Sequence, residues 1–127
     1  MSFLGIDFGL KRVGVAVSDG GNVLAFPLVV IDNNKDLLNK IKEIVKDRGI
    51  SKIIVGESKD YQMNDNPIMD QINNFVEELR KETSLEVELH PEFMSSMQAQ
   101  KEIGSKTKQV DAQAAAIVLQ SYLDSNK

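Results

Sequence analysis

The chain contains no cysteine and only one histidine, His90, among its 127 residues. Without cysteine it can form neither a disulfide nor a thiolate zinc site, and one histidine cannot build a histidine-rich metal site. Any metal must therefore be bound by oxygen ligands. No apolar run approaches membrane-spanning length, and the first residues lack the cationic and long apolar regions of a signal peptide. We therefore expect a cytoplasmic protein that makes no use of a membrane.

The chain also lacks an excess of positive charge, because its net charge is -4. An acidic balance speaks mildly against nucleic-acid binding, since phosphates are contacted by clustered Lys and Arg. The distribution of charge can override the total, because several cations fall in or near predicted turns. These cations are Lys11, Arg12, Lys101, Lys106 and Lys108. As an alternative, scattered lysines are often only solvated surface.

Hydrophobic periodicity predicts an α/β protein. At 42% hydrophobic residues the chain can bury one core but not two, so we expect a single domain over residues 1–127. The predicted elements are strands at 3–7, 12–18 and 23–31, a helix from 34 to 49, a strand at 52–56, a helix from 67, a strand at 85–89, and helices at 95–103 and 109–123. Short connections make the first three strands antiparallel, whereas crossover helices make the first, fourth and fifth parallel. We expect a five-stranded mixed sheet.

Carboxylates collect at one edge of this predicted sheet. The C-terminal ends of parallel strands share an edge, which is where open α/β sheets bind ligands. Asp7 ends the first strand, Glu57 ends the fourth and Glu92 follows the fifth, while Asp111 lies in the first turn of the last, apolar helix. Taken singly, Asp7 could be a turn former, Asp111 a helix cap, and the two glutamates solvated loop residues. Their convergence favours a functional site.

Clustered carboxylates repel one another unless they are protonated or bind a hard cation. Mg²⁺ or Mn²⁺ is the natural occupant of such an oxygen site. Two such ions, about 3.5–4 Å apart, can activate water and stabilise the charge that develops on a phosphate, which is phosphodiester hydrolysis. No serine or cysteine at motif spacing offers His90 a nucleophilic partner.

Two runs of sequence resemble the YqgF (RuvX) family, described as Holliday junction resolvases and as pre-16S rRNA nucleases. They are Gly-Ile-Asp-Phe-Gly-Leu-Lys-Arg-Val-Gly-Val-Ala at 5–16 and Val-Asp-Ala-Gln-Ala-Ala-Ala-Ile-Val-Leu-Gln-Ser-Tyr-Leu at 110–123. The resemblance covers nearly the whole chain. It implies a ribonuclease H-like fold with helices on both faces of the sheet. It also implies a metal-dependent endonuclease in which Asp7, Glu92 and Asp111 are the catalytic, Mg²⁺- or Mn²⁺-binding acids.

The resemblance further implies a nucleic-acid partner, either an rRNA precursor during ribosome biogenesis or branched DNA, and a monomer or weak homodimer. The candidate nucleic-acid contacts are Lys11, Arg12, Ser95, Lys106 and Lys108. The middle motifs depart from the family. Its Asp-Glu-Arg is Pro91-Glu92-Phe93 here, without the phosphate-binding arginine, and its Gly-Leu-Pro is Gly56-Glu57-Ser58. Glu57 could replace or supplement Glu92 as a metal ligand, since its strand should neighbour the first.

Two alternatives to the endonuclease stay open. Loss of the arginine at Phe93 favours a member that binds RNA or a ribosome-assembly partner without cutting. The Asp-x-Gly turn at Asp7 and Gly9 also resembles the ATP-phosphate turn of sugar kinases and actin-like ATPases, but that fold needs two such domains and this chain is too short for both.

Overall fold

A computed structural model describes residues 2–57, 69–91 and 108–125, without the side chains of residues 57, 91 and 108–111. The elements are β1 (Ser2–Phe8), β2 (Arg12–Ser18), β3 (Ala25–Asp32), α1 (Leu37–Arg48), β4 (Ile50–Glu57), α2 (Met69–Thr83), β5 (Glu86–Pro91) and α3 (Lys108–Ser125). The predicted helix at 95–103 and the start of the second helix at 67 lie outside the described residues. No described helix is long and apolar enough to cross a membrane.

The five strands form one sheet in the order β3-β2-β1-β4-β5. The first three strands pair antiparallel, and β4 pairs parallel with both β1 and β5. Both pairings confirm the expectation from connection length, because a hairpin reverses the chain and a crossover helix does not. The C-terminal ends of β1, β4 and β5 consequently share one edge of the sheet.

Helices cover both faces of the sheet, as expected. Ile6 and Val55 alternate with Gly5 and Ile54 along neighbouring strands, so the two pairs face opposite layers. The larger apolar core lies between the sheet and the helices α1 and α2. A second core packs α3 against Ala16 of β2 and Ile54 of β4. This second layer carries the candidate site.

Most element boundaries differ from the sequence expectations by one to three residues. Strand β3 begins at Ala25 and not at Val23, because the Asp19 carboxylate accepts hydrogen bonds from the amides of Val23 and Leu24 at 2.7 and 3.0 Å. These bonds hold both residues in the turn. Helix α1 begins at Leu37, after a turn in which Asn34 Oδ1 accepts the amide of residue 36 at 2.9 Å. Strand β5 runs from residue 86 to 91 and not from 85 to 89.

Helix α3 is apolar around most of its circumference, a pattern that predicts a largely buried helix. Its sheet-facing stripe is buried, but Ile117 on the opposite side is 38% exposed. The helix lies on the surface of the sheet and is not enclosed by a further layer of described residues. The small apolar side chains of α3 let the helix pack closely against the strands. They do not require burial of the whole helix.

Candidate functional site

Asp7 is the carboxylate that the structure places most clearly. It lies one residue before the end of β1, is half-buried, and shares the strand parity of Gly5, so it faces the α3 layer. Its partner on β2 is Gly14. The parallel register that pairs Ile6 with Val55 brings Gly56 to its other side at the next step. Neither glycine has a side chain, and both are buried.

Helix α3 runs antiparallel to β1. Near the start of β1, the rings of Phe3 and Tyr122 are 6.2 Å apart. Two residues further on, a Cβ at Gly5 would come within 2.7 Å of Leu119 Cβ and 3.0 Å of the Ala115 carbonyl oxygen. Residue numbers along α3 therefore decrease in the direction in which those along β1 increase.

The same progression relates Asp7 to the first turn of α3. Two strand residues advance about 6.6 Å, and the four helix residues from Ala115 back to position 111 advance about 6 Å. The backbone at position 111 thus lies at about the level of Asp7. The side chain of Asp111 is outside the described part of the structure. Two of the predicted acids, more than a hundred positions apart in sequence, are carried by adjacent elements.

The turn between β1 and β2 is held in one conformation by Asn33. Its side-chain amide donates to the Gly9 carbonyl at 2.7 Å, and its backbone amide donates to the Lys11 carbonyl at 2.9 Å. A Cβ at Gly9 would lie 2.5 Å from the Arg12 carbonyl oxygen, so only glycine fits. The turn leaves Lys11 exposed and Arg12 half-buried, beside the end of the strand that carries Asp7.

The other predicted site residues are placed only in part. Glu57 ends β4, which neighbours β1 as expected. Position 57, however, shares the sheet face of Val55, which is the face opposite to that of Asp7. Lys108 begins α3. Glu92, Ser95 and Lys106 lie outside the described residues, as do the side chains of Glu57, Lys108 and Asp111. Among the side chains that the structure does describe, no group of three His, Asp or Glu is placed to hold a metal ion.

A polar network missed by the sequence analysis lies on the same layer, nearer the start of the strands. Lys52 Nζ donates to Tyr122 Oη and lies 2.9 Å from Glu88 Oε2 and 3.3 Å from Glu86 Oε2. Burial disfavours the charge of Lys52, but the hydrogen bonds to Tyr122 and Glu88 outweigh it and raise the pKa of Lys52. The same hydrogen bond from Lys52, followed by one from Tyr122, lowers the pKa of Glu88. The network anchors the C-terminal half of α3 to β4 and β5.

His90 has a structural partner that its sequence neighbours do not reveal. Its Nε2 lies 2.9 Å from Ser121 Oγ, and its ring meets the Tyr122 ring edge-on at 5.8 Å. Ser121 is 31 positions further along the chain. No local motif could have linked the two, because the contact depends on how α3 crosses the sheet. It joins the end of β5 to α3.

The sequence profile of RuvX, described as Holliday junction resolvase, matches residues 1–125. This chain belongs to the RuvX (YqgF) family. Two relatives named as candidate pre-16S rRNA nucleases match it along nearly their whole lengths. One, from Nitratidesulfovibrio vulgaris, is 34% identical over 98% of this chain and 94% of its own. The other, from Geobacillus kaustophilus, is 34% identical over 100% of both chains.

A solved structure supports the fold assignment. RuvC of T. thermophilus, in complex with Holliday junction substrate, superposes with a TM-score of 0.63 at 18% identity, over 99% of this chain and 95% of RuvC. The ribonuclease H-like fold expected for the RuvX family is therefore present. The RuvX proteins are named as nucleases, so the family places this chain among hydrolases that act on phosphodiester bonds.

The chemistry of the described site fits a divalent metal. Asp7 supplies carboxylate oxygen, and the chain has no cysteine to supply sulfur. Hard cations such as Mg²⁺ and Mn²⁺ prefer oxygen ligands of this kind.

Proposed function

We propose that this RuvX protein is a cytoplasmic, metal-dependent endonuclease that hydrolyses phosphodiester bonds of structured RNA and matures the 5′ end of pre-16S rRNA. The observation that carries the proposal is Asp7, a half-buried carboxylate flanked by glycines and level with the first turn of α3. The names of the RuvX relatives support the substrate. Holliday junction DNA is the second substrate, favoured by the family description and by the RuvC fold.

In this proposal Asp7, Glu92 and Asp111 hold Mg²⁺ or Mn²⁺, and Glu57 is not a ligand, because its strand position has the parity of the opposite face of the sheet. The bound metal would supply Lewis-acid stabilisation of the phosphate charge and a water of lowered pKa. Lys11 and Arg12 bind the phosphates on the β1 side, and Ser95, Lys106 and Lys108 bind them on the α3 side. The hydrogen-bonded turn from Gly9 to Lys11 fixes the position from which Lys11 and Arg12 contact the nucleic-acid backbone.

The test is cleavage of a 5′-extended 16S rRNA precursor by purified protein with Mg²⁺ or Mn²⁺, with a four-way DNA junction as a parallel substrate. We expect cutting that requires metal and falls at least about 100-fold in Asp7→Asn, because that change removes a charged ligand. Asp47→Asn, an exposed acid at the end of α1, is the matched control. Equal cleavage by Asp7→Asn and Asp47→Asn would refute the assignment of Asp7. Cleavage of the DNA junction alone would mean that the substrate is branched DNA and not RNA.

A binding-only function is the second candidate, and one observation favours it. Phe93 replaces the arginine that the RuvX motif uses beside its glutamate. An arginine at that place would bind phosphate bidentately, which phenylalanine cannot do. If this protein binds the precursor without cutting it, Phe93→Arg should restore metal-dependent cleavage. No gain from Phe93→Arg would mean that the missing cation is not what limits the reaction.

A further inference from the structure

Leu10 is the most exposed of the large apolar side chains that the structure describes, at 63%. It lies at the tip of the turn between β1 and β2, with Lys11 next to it and Arg12 beginning β2. Exposing an apolar side chain to water at a hairpin tip is energetically unfavourable. At this tip it is flanked by cations at the candidate catalytic edge, and not by other exposed apolar residues.

The tip is also rigid. Asn33 holds both ends of the turn through its hydrogen bonds to the carbonyls of Gly9 and Lys11. The 2.5 Å approach of a Gly9 Cβ to the Arg12 carbonyl shows how tightly the backbone is folded there. A rigid projection does not lose conformational entropy on binding, which is the advantage of a preorganised contact.

The tip lies close to the candidate catalytic carboxylate. From Asp7 to Leu10 is three residues, which spans at most about 10 Å of strand. A nucleic-acid strand advances about 3.4 Å per nucleotide along its axis. A phosphate held at Asp7 would therefore place a nucleotide no more than about three positions away against the tip.

We infer that Leu10 is a nucleobase-contacting wedge and that Asn33 is the positioning residue that aims it. Lys11 binds the adjacent phosphate while Leu10 packs against the face of an unpaired or unstacked base, as apolar side chains do when they enter a base step. The substrate class is nucleic acid with an unpaired nucleotide within about three positions of the scissile phosphate. This inference rests on the proposed function, and it adds a base-side contact to a site that otherwise reads only phosphates.

The test measures binding in a chelator, so that its outcome does not depend on cleavage. Two RNA duplexes are compared by fluorescence anisotropy, one fully paired and one with a single unpaired 2-aminopurine. Wild type should prefer the second duplex and raise the 2-aminopurine fluorescence by unstacking the base. Leu10→Ala removes three carbon atoms and should weaken binding of the bulged duplex about tenfold. It should leave the paired duplex unchanged.

Salt dependence separates the two kinds of contact. Lys11→Ala should weaken both duplexes and reduce the slope of log K against log salt by about 1, since one phosphate contact is lost. Leu10→Ala should leave that slope unchanged. Asn33→Asp keeps the shape of the side chain but replaces the donor to Gly9, so it should reduce the preference for the bulge while Leu10 and Lys11 remain. Leu24→Ala, which is 52% exposed in the β2–β3 turn at the opposite end of the sheet, is the matched control.

Equal bulge preference in wild type and Leu10→Ala would overturn the wedge while leaving the nuclease proposal intact. A loss in Leu24→Ala as large as that in Leu10→Ala would overturn it too, because the effect would then not be local. Failure of the wild type to bind either RNA, together with failure to cut the precursor, would remove both proposals.

Discussion

Gly5→Ala should separate α3 from the sheet. The new Cβ would lie 2.7 Å from Leu119 Cβ and 3.0 Å from the Ala115 carbonyl oxygen. Carbon atoms pack best about 3.5–4.0 Å apart, so the helix must move outward by about 1 Å. Overpacking of this kind costs about 1–3 kcal/mol. Replacing glycine in a strand returns about 0.5–1 kcal/mol of backbone entropy, so the middle of the two ranges leaves a net loss of about 1 kcal/mol.

For a chain of this length that loss lowers Tm by roughly 4–8 °C. Circular dichroism measures it, with Gly20→Ala as the matched control because a Cβ at Gly20 meets nothing within 4 Å. The outward shift also carries position 111 away from Asp7, so Mn²⁺ should stabilise Gly5→Ala less than wild type. Gly5→Ala could have the same Tm as Gly20→Ala, or its Tm could rise as much with Mn²⁺ as that of wild type. Either result would mean that the packing of α3 at Gly5 does not position the proposed site.

Three further changes test the surrounding structure. Glu88→Gln should destabilise the protein more at pH 7 than at pH 3 in urea melts. The lowered pKa of Glu88 stabilises the fold fully above the ordinary value of 4.5, and this stabilisation is lost as the pH falls through the folded pKa. Tyr122→Phe removes the acceptor for Lys52 and should cost about 0.5–1.5 kcal/mol in the same assay. Gly9→Ala forces a Cβ against the Arg12 carbonyl at 2.5 Å and should reduce precursor binding through the distorted turn.

Each of these changes has an outcome that would contradict the reasoning. If the stabilities of Glu88→Gln and wild type differ equally at both pH values, the charge of Glu88 is not what matters. Glu78→Gln, an exposed acid on α2, controls for a general effect of charge. An unchanged stability of Tyr122→Phe would mean that the ion pair alone holds Lys52. Full RNA affinity in Gly9→Ala would show that the turn need not be rigid.

The strand order and pairing could be predicted because they follow from local signals. Turn residues and the change from strand to helix periodicity decide which strands are antiparallel, and the structure confirms the result. The errors at the ends of β3 and α1 share one cause. Asp19 and Asn34 bond nearby backbone amides with their side chains, and so hold apolar or helix-compatible residues in turns. Periodicity does not report such bonds.

The site could be predicted only as far as it depends on strand ends. Asp7 was chosen because the sequence predicts it at the end of a strand, and it lies one residue before the end of β1. The clamp by Asn33 and the pair of His90 with Ser121 were missed, since they join residues 24 and 31 positions apart. Such pairs arise from the way the elements pack in three dimensions. The roles of Asp7, Glu57, Glu92 and Asp111 stay predictions.

A missing side chain sets the depth of α3 against the sheet. At the level of Gly5 the absent Cβ lets Ala115 and Leu119 of α3 touch the strand. One level higher on β1, Asp7 lies between the buried glycines Gly14 and Gly56, and the backbone of the first turn of α3 reaches about the same level. The depth of α3 therefore decides how far position 111 lies from Asp7, so the packing at Gly5 controls the geometry of the proposed pair of acids.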